Sequence, residues 1–108
     1  MQDTWPSDAD GDVFRRLASD DFDFSMSHSI DFNVDFDSWP PSPDLVTVLK
    51  NQYPKLRVFE PRDGYRGYIQ FVVDAKLTYE LVMFVQSEVS ALVRSYGGIC
   101  ESWGVMNK

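Results

Sequence analysis

The stretch from Ile30 to Phe36 constrains the fold of this 108-residue chain more than any other part of the sequence. It reads Ile-Asp-Phe-Asn-Val-Asp-Phe, so apolar and polar residues alternate without exception. Successive side chains of a β-strand point to opposite faces of a sheet, which separates the apolar residues from Asp31, Asn33 and Asp35. The alternation therefore predicts a strand with one face covered by helices and the other turned toward water or a partner.

The order of the predicted elements gives the fold class. A short helix comes first, with an apolar stripe between Val13 and Leu17 and with Ser7 as its cap. Ser42-Pro43-Asp44 and Thr78 mark the starts of two further helices. Three more strands are predicted over the ranges Leu56–Glu60, Tyr68–Ala75 and Ile99–Met106. We therefore predict an α+β fold, a ferredoxin-like β-α-β-β-α-β sandwich with a four-stranded antiparallel sheet and two helices on one face, plus the short N-terminal helix.

This arrangement leaves one face of the sheet open, with the first and third strands at its centre. On that face we expect polar and aromatic side chains from all four strands: Asp31, Asn33, Asp35, Tyr68, Gln70, Val72, Arg57, Phe59, Glu101 and Trp103. The last strand leaves an alternative open, because Ile99 and Trp103 could equally form its inward-pointing set.

Acidic residues are concentrated in the N-terminal part of the chain. The formal net charge is −7. Residues 1–44, with eleven Asp and two Arg, have a net charge of −9, whereas residues 45–108 have a net charge of +2. A surface of this sign repels nucleic-acid phosphates and attracts basic partners or cations. We therefore expect a basic partner if the charge has a specific role.

Length and composition predict a single domain, residues 1–108, with residues 1–7 as a flexible leader. Cys100 is the only cysteine, so no internal disulfide can form. The N-terminus lacks the basic and apolar regions of a signal peptide, and the most apolar window, Leu77 to Tyr96, contains charged residues. The sequence predicts a cytoplasmic protein without membrane contact.

RNA recognition is a function that this topology often serves, through bases stacked on aromatic residues of the central strands. The run from Gly67 to Phe71 matches the second half of the RNP1 pattern, but Gly64-Tyr65-Arg66 does not match the first half. Asp31 also stands where the first strand would need an aromatic ring, and carboxylates on the face repel a phosphate chain. We predict no direct nucleic-acid binding.

Few groups in the sequence are suited to catalysis. Asp31, Asp35 and Glu101 are the carboxylates that a magnesium-dependent site would use, but the row has no basic clamp of its own. The only histidine, His28, and the only thiol, Cys100, lack an orienting third group and a recognisable motif. We predict a protein that is not an enzyme and needs no metal or cofactor, with the small metal-dependent enzyme as an alternative.

A protein-binding face is the interpretation that the residues favour. Acidic residues beside aromatic ones are typical of contact surfaces, since the rings anchor a partner and the charges orient it. We predict a partner-binding site made of Asp31, Asn33, Asp35, Tyr68, Glu101 and Trp103. The alternative is a self-associating structural module, a homodimer that buries the same face.

The C-terminal part of the sequence also resembles a known family. The run from Tyr96 to Gly104, Tyr-Gly-Gly-Ile-Cys-Glu-Ser-Trp-Gly, is similar to the closing strand of the regulator of ribonuclease activity B family. These bacterial proteins, related to an inhibitor of ribonuclease E, end on an acid-small-Trp-Gly signature. The alternating strand from Ser29 to Phe36 and the acidic N-terminal helix are similar as well. The resemblance extends from Asp8 to Val105.

The resemblance implies a ferredoxin-like, non-catalytic protein that binds an endoribonuclease and changes how that enzyme processes RNA. It also implies a partner with a basic segment, because the scaffold region of ribonuclease E is rich in arginine. One departure concerns the C-terminus: the enteric member of the family carries a strongly acidic tail there, whereas this sequence reads Met106-Asn107-Lys108. If that tail contributes to binding, a different partner is expected.

Overall fold

The computed structural model describes residues 5–105 of the chain. In chain order its elements are α1 (Ala9–Ser19), β1 (Ser27–Phe36), α2 (Pro43–Gln52), β2 (Arg57–Phe59), β3 (Tyr68–Lys76), α3 (Tyr79–Val93), a 3-10 turn (Arg94–Tyr96) and β4 (Gly98–Val105). The predicted α+β class and four-stranded antiparallel sheet are confirmed. Within residues 5–105, no helix combines the length and apolar character needed to cross a membrane.

Side-chain caps determine where α1 and α3 begin. The Asp8 carboxylate accepts a hydrogen bond of 2.7 Å from the Gly11 amide, so Asp8, and not the predicted Ser7, caps α1. The Thr78 hydroxyl accepts a hydrogen bond of 3.1 Å from the Leu81 amide and caps α3 as predicted. Each cap satisfies a backbone donor that the first helical turn leaves without a partner.

The sheet has the strand order β2-β3-β1-β4, so that β1 and β3 lie at its centre. β1 pairs with β3 in an uninterrupted antiparallel register that runs from Ser27 opposite Lys76 to Asp35 opposite Tyr68. Residues directly opposite each other in such a pair share a face of the sheet. The register of β1 with β3 therefore fixes which side chains of the two central strands lie together.

β4 pairs with the other side of β1 through one irregularity. Asn33 lies opposite Ser102 and Val34 lies opposite Cys100, which leaves Glu101 without a partner residue. An additional residue of this kind is a β-bulge, and it shifts the alternation of the strand by one position. Side chains of β4 on the two sides of Glu101 therefore follow different alternations.

The hydrophobic core lies on the apolar side of the sheet. Ile30, Phe32 and Val34 of β1 and Ile69 and Phe71 of β3 have no exposed surface. The buried residues of α2 and α3 belong to the same cluster: Leu45, Leu49, Val82, Val85, Val89 and Val93. Burying a side chain of this size contributes about 1.5–3 kcal/mol. Core formation thus fixes which face of β1 is covered, as the alternation predicts.

Aromatic contacts attach α1 to the rest of the domain. The ring centroid of Phe14 in α1 lies 5.4 Å from that of Trp103 in β4. The ring centroid of Trp5, a residue of the predicted leader, also lies 5.4 Å from that of Phe14. Residues 1–4 of that leader and Met106, the predicted end of the last strand, lie outside the described residues.

Candidate protein-binding face

The side of the sheet opposite the core carries the predicted site residues of the two central strands. Asp31, Asn33 and Asp35 of β1 lie opposite Val72, Gln70 and Tyr68 of β3, in that order. All six side chains are partly exposed. The predicted placement of Asp31, Asn33, Asp35 and Tyr68 next to one another is confirmed.

The two edge strands extend the same surface. Arg57 and Phe59 of β2 lie opposite Gln70 and Tyr68 of β3, as predicted. On β4, Ile99 and Ser102 lie opposite the polar row of β1. We call this surface the open face, and it consists of Asp31, Asn33, Asp35, Arg57, Phe59, Tyr68, Gln70, Val72, Ile99 and Ser102.

A chain of hydrogen bonds crosses the middle of the open face. Gln70 Nε2 donates to Asn33 Oδ1 at 3.2 Å, and Asn33 Nδ2 donates to Ser102 Oγ at 3.2 Å. These bonds join three strands and engage both the oxygen and the nitrogen of the Asn33 amide. Asn33 therefore links the strands, and the carboxylates on either side of it are the groups left for a partner.

Those two carboxylates, Asp31 and Asp35, have no cationic partner in the described part of the chain. Both are partly buried, and neither makes an ion pair or a side-chain hydrogen bond there. They lie four positions apart along β1, a distance of about 13 Å. A partly dehydrated carboxylate gains more from a charge-assisted hydrogen bond than a fully solvated one. The pair is therefore suited to basic side chains of a partner.

An aromatic pair borders Asp35 on the open face. The rings of Phe59 and Tyr68 are stacked, with centroids 4.8 Å apart and planes inclined by 14°. Tyr68 lies directly opposite Asp35 in the sheet. Large rings beside a charge have the composition of an anchor point in a protein interface.

At the other end of the face, Asp74 is already neutralised within the molecule. Lys55 Nζ donates to its Oδ2 at 2.9 Å, and Ser29 Oγ donates to its Oδ1 at 2.8 Å. The hydrogen bond from Lys55, and then that from Ser29, lowers the pKa of the Asp74 carboxyl below its ordinary value of 3.8. Asp74 consequently attracts a basic partner less than Asp31 and Asp35 do.

A groove continues the acidic surface beyond this end of the sheet. Its walls include Asp31, Gln70 and Val72 of the open face and Asp21 and Asp23 of the connector that precedes β1. Hydrogen bonds from the Ser25 hydroxyl and amide lower the pKa of Asp23 below its ordinary value of 3.8. Lys55 and Arg57 line the same groove, so charges of both signs lie next to Asp31.

Trp103 lies on the other side of the sheet, so its predicted place on the open face is wrong. It lies opposite Phe32, whose side chain is in the core, and its Nε1 donates a hydrogen bond of 2.8 Å to Asp10 Oδ1. The bulge at Glu101 is the physical reason, because the additional residue moves every later side chain of β4 to the opposite face.

The other two predicted positions on β4 are affected by the same bulge. Ile99 lies opposite Asp35 and is 45% exposed, so the alternative in which it points inward with Trp103 is wrong as well. Glu101 is exposed, but it sits at the bulge and outside the cross-strand pairs. Ile99, Glu101 and Trp103 follow a regular two-residue period, so periodicity alone gives no sign of the bulge.

The two reactive side chains named from the sequence are placed unfavourably for catalysis. The Cys100 thiol is buried, and this burial, with a smaller effect of the Asp35 charge, raises its pKa to about 12. His28 Nε2 lies 2.7 Å from the backbone oxygen of Asp23. Among residues 5–105, no three His, Cys, Asp or Glu side chains are grouped so that they could hold a metal ion.

Comparisons with known proteins identify a family. Curated proteins and solved structures yield no match to the chain. The family model described as regulator of ribonuclease activity B matches residues 7–105. The matched range includes every helix and strand described above, as well as the closing strand that carries the resemblance in the sequence. The chain therefore belongs to the regulator of ribonuclease activity B family.

Proposed function

We propose that this protein is a non-catalytic cytoplasmic regulator that binds a basic segment of a bacterial endoribonuclease through its open face and so modulates RNA degradation. The observation that carries the proposal is the pair Asp31 and Asp35, two partly buried carboxylates that make no ion pair in the described part of the chain. The family description, a regulator of ribonuclease activity, supplies the class of partner.

The charge distribution supports a basic partner. Residues 1–44, which include β1, carry a net charge of −9, whereas the rest of the chain carries +2. A field of one sign over a binding surface accelerates encounter with a partner of the opposite sign and orients it before contact. Arginine or lysine side chains of a ribonuclease segment would meet this field first and the two carboxylates second.

We infer a ferredoxin-like arrangement for the domain that presents this face. The elements after α1 follow the order β-α-β-β-α-β, and the strand order is β2-β3-β1-β4. The buried residues of α2 and α3 join the core on the apolar side of the sheet. In this arrangement the two helices cover the apolar side and leave the open face to a partner.

The arrangement of reactive groups supports regulation without catalysis. With a pKa of about 12, the Cys100 thiol carries almost no thiolate at neutral pH, and the thiolate is the nucleophilic form. The Asn33 amide is engaged by Gln70 and Ser102, so the polar row offers charges but no aligned acid and base. Binding is the function that these groups can serve.

Isothermal titration calorimetry with a synthetic arginine-rich segment of a bacterial ribonuclease E tests the proposal. We expect the double variant Asp31→Asn/Asp35→Asn to bind about tenfold more weakly than the native protein, since it loses two charge pairs worth up to about 1 kcal/mol each. The amide side chains keep the size and shape of the carboxylates, so the sheet remains intact.

A matched control separates the open face from overall charge. Glu80→Gln/Glu88→Gln removes the same number of charges at exposed positions of α3, whose buried residues join the core on the other side of the sheet. We expect this variant to bind the segment within about twofold of the native protein, because surface charges separated by more than a Debye length are screened. Equal weakening of both double variants, or no binding by the native protein, would contradict the proposal.

A further inference from the structure

One end of the open face carries an aromatic ring, a carboxylate and an aliphatic side chain in a row, which we call the slot. Tyr68 of β3, Asp35 of β1 and Ile99 of β4 form a row across three neighbouring strands. Neighbouring strands lie about 4.8 Å apart, which places Tyr68 and Ile99 roughly 10 Å apart at their backbones. Asp35 lies between them and forms the floor of the slot.

The Phe59 ring fixes the orientation of the Tyr68 ring. Their centroids are 4.8 Å apart, which is about the spacing of neighbouring strands, and their planes are inclined by only 14°. The two rings therefore stack face to face, and the normals of their planes point along the row of strands. Phe59 covers the face of Tyr68 that looks toward β2, and the other face of Tyr68 looks over Asp35 toward Ile99.

The remaining walls and the charge of the slot come from Asp35 and Ile99. Ile99 is 45% exposed and forms the wall opposite the ring. Arg57, the cation of the open face, lies in the next row opposite Gln70 and makes no ion pair with Asp35. Asp35 thus makes no ion pair within residues 5–105, and the nearest basic side chains around Tyr68, Arg62 and Arg66, line a separate groove on its other side.

We propose that this slot binds the guanidinium group of an arginine of the partner, stacked on Tyr68 and paired with Asp35. A guanidinium is planar and weakly hydrated, so it can stack on a ring and form a charge-assisted hydrogen bond at once, whereas the ammonium of lysine is compact and strongly hydrated. Asp31 offers no equivalent, because its neighbours in the sheet are Val72 and Gly104. The inference rests on the proposed function and names the partner residue that the open face selects.

NMR titration of the isotope-labelled full chain with blocked tripeptides tests the slot directly. The probes are acetyl-Gly-Arg-Gly-amide and its lysine and citrulline counterparts, the last of which keeps the shape of arginine without its charge. We expect the arginine peptide to shift the Ile99 methyl, Tyr68 ring and Asp35 amide signals, with the other two peptides binding at least about fivefold more weakly. Equal affinity for arginine and lysine, or shifts that lie elsewhere on the surface, would overturn the proposal.

Variants of the full chain test the pairing with Asp35 and the stacking on Tyr68 separately. Asp35→Asn and Tyr68→Leu should each weaken the arginine peptide by about fivefold. Tyr68→Phe keeps the ring and should retain native affinity, which provides a readout even if the leucine variant folds poorly. Glu88→Gln, at an exposed position of α3, is the matched control and should leave binding of this peptide unchanged. Native affinity in Asp35→Asn would remove the slot as an arginine site.

Calorimetry with the whole ribonuclease segment separates this inference from the proposed function. If Asp31→Asn weakens the segment while Asp35→Asn and Tyr68→Leu do not, the open face still binds the partner and the slot is wrong. If the segment does not bind while the arginine peptide occupies the slot, the slot is correct and the proposed ribonuclease partner is wrong.

Discussion

The Asp10 carboxylate joins three elements of the fold, because it accepts hydrogen bonds from Trp103 of β4 at 2.8 Å and from Gln86 of α3 at 3.3 Å. Its neighbour Asp8 caps α1 and accepts a hydrogen bond of 2.6 Å from the Tyr79 hydroxyl. Part of the acidity of the N-terminal region therefore stabilises the docking of α1 and is not available to a partner.

Replacing Asp10 tests this structural role at a single residue. We expect Asp10→Ala to lower the free energy of unfolding by about 1–2 kcal/mol, since it leaves the partly buried indole N–H of Trp103 without an acceptor. Urea denaturation followed by tryptophan fluorescence measures the change. The matched control is Asp12→Ala, which removes a charge from the same helical turn, where the Asp12 side chain is 66% exposed and pairs with Arg15 at the surface. An equally large loss of unfolding free energy in Asp12→Ala would attribute the effect to the helix dipole and not to the hydrogen bond with Trp103.

Tyr79 makes the docking of α1 dependent on pH. The hydrogen bond to the Asp8 carboxylate raises the pKa of Tyr79 to about 12, whereas in the unfolded chain it is about 10. The folded state thus holds the phenol proton more tightly, and this stabilisation is complete below about pH 10 and lost as the pH rises toward 12. The same bond lowers the pKa of Asp8, so its contribution is present above about pH 4 and lost in more acidic solution.

The variant Tyr79→Phe measures this linkage. We expect its free energy of unfolding to lie below that of the native protein at pH 7 and the difference between the two to shrink at pH 11. Urea denaturation at the two pH values provides both numbers. Tyr65→Phe, at a tyrosine that is 77% exposed, is the control and should show the same stability as the native protein at pH 7. A difference for Tyr79→Phe that is the same at pH 7 and pH 11 would exclude the linkage.

At the scale of the elements, the bulge in β4 decides which side chains reach the open face. Glu101 is the additional residue, so its removal would let Cys100, Ser102 and Trp103 alternate regularly on the faces they already occupy. We therefore expect deletion of Glu101 to preserve the fold, with a free energy of unfolding within about 1 kcal/mol of the native value. Near-ultraviolet circular dichroism and urea denaturation check the packing of Trp103 and the stability.

Deletion of a residue from a regular strand provides the contrast. Removing Asn33 from β1 would move Val34 and Phe36, which are buried, to the other face of the sheet or break the pairing with β3. We expect this variant to be unfolded, as judged by the dispersion of amide signals in NMR spectra. Unfolding of the Glu101 deletion as well would show that the bulge itself is required.

The same comparison explains how far sequence alone predicts the fold. In β1 every position from Ile30 to Phe36 obeys the alternation, so both faces follow from the pattern and both are as predicted. In β4 the alternation of residue types continues through the bulge, although the backbone does not, and the predicted face of Trp103 is wrong. The prediction that Ser7 caps α1 is wrong for a related reason. Ser7 and Asp8 are both good cap residues, and the tertiary contact of Asp8 with Tyr79 is what distinguishes them.

Contacts between distant elements were the part of the site that no local pattern could predict. The hydrogen bonds from Gln70 to Asn33 and from Asn33 to Ser102 connect residues that are 37 and 69 positions apart in the chain. The Ser90 hydroxyl of α3 likewise accepts a hydrogen bond from the backbone nitrogen of Cys100 and donates one to its backbone oxygen. These two bonds cover part of the edge of β4. The sequence predicts that polar groups face outward, whereas only the register shows which of them are already paired.

At the scale of the whole molecule, the open face is the surface for which partner binding and self-association compete. A two-fold symmetric dimer would bring the same patch of both subunits together. Each copy would bring two carboxylates without an ion-pair partner, Asp31 and Asp35, and one cation, Arg57, so the interface would hold an excess of negative charge. Like charges in a dehydrated interface are unfavourable, which favours a monomer that awaits a basic partner.

Size-exclusion chromatography with light scattering tests this competition. We expect the mass of one chain at low ionic strength, where repulsion between the acidic faces is strongest, and a one-to-one complex after the basic ribonuclease segment is added. The double variant Asp31→Asn/Asp35→Asn is the control, because removal of the charges should raise the tendency to dimerise while it weakens the complex. A native dimer that persists at low ionic strength and that the segment does not dissociate would mean that the open face is buried against a second copy, and the ribonuclease segment would then have no access to Asp31 and Asp35.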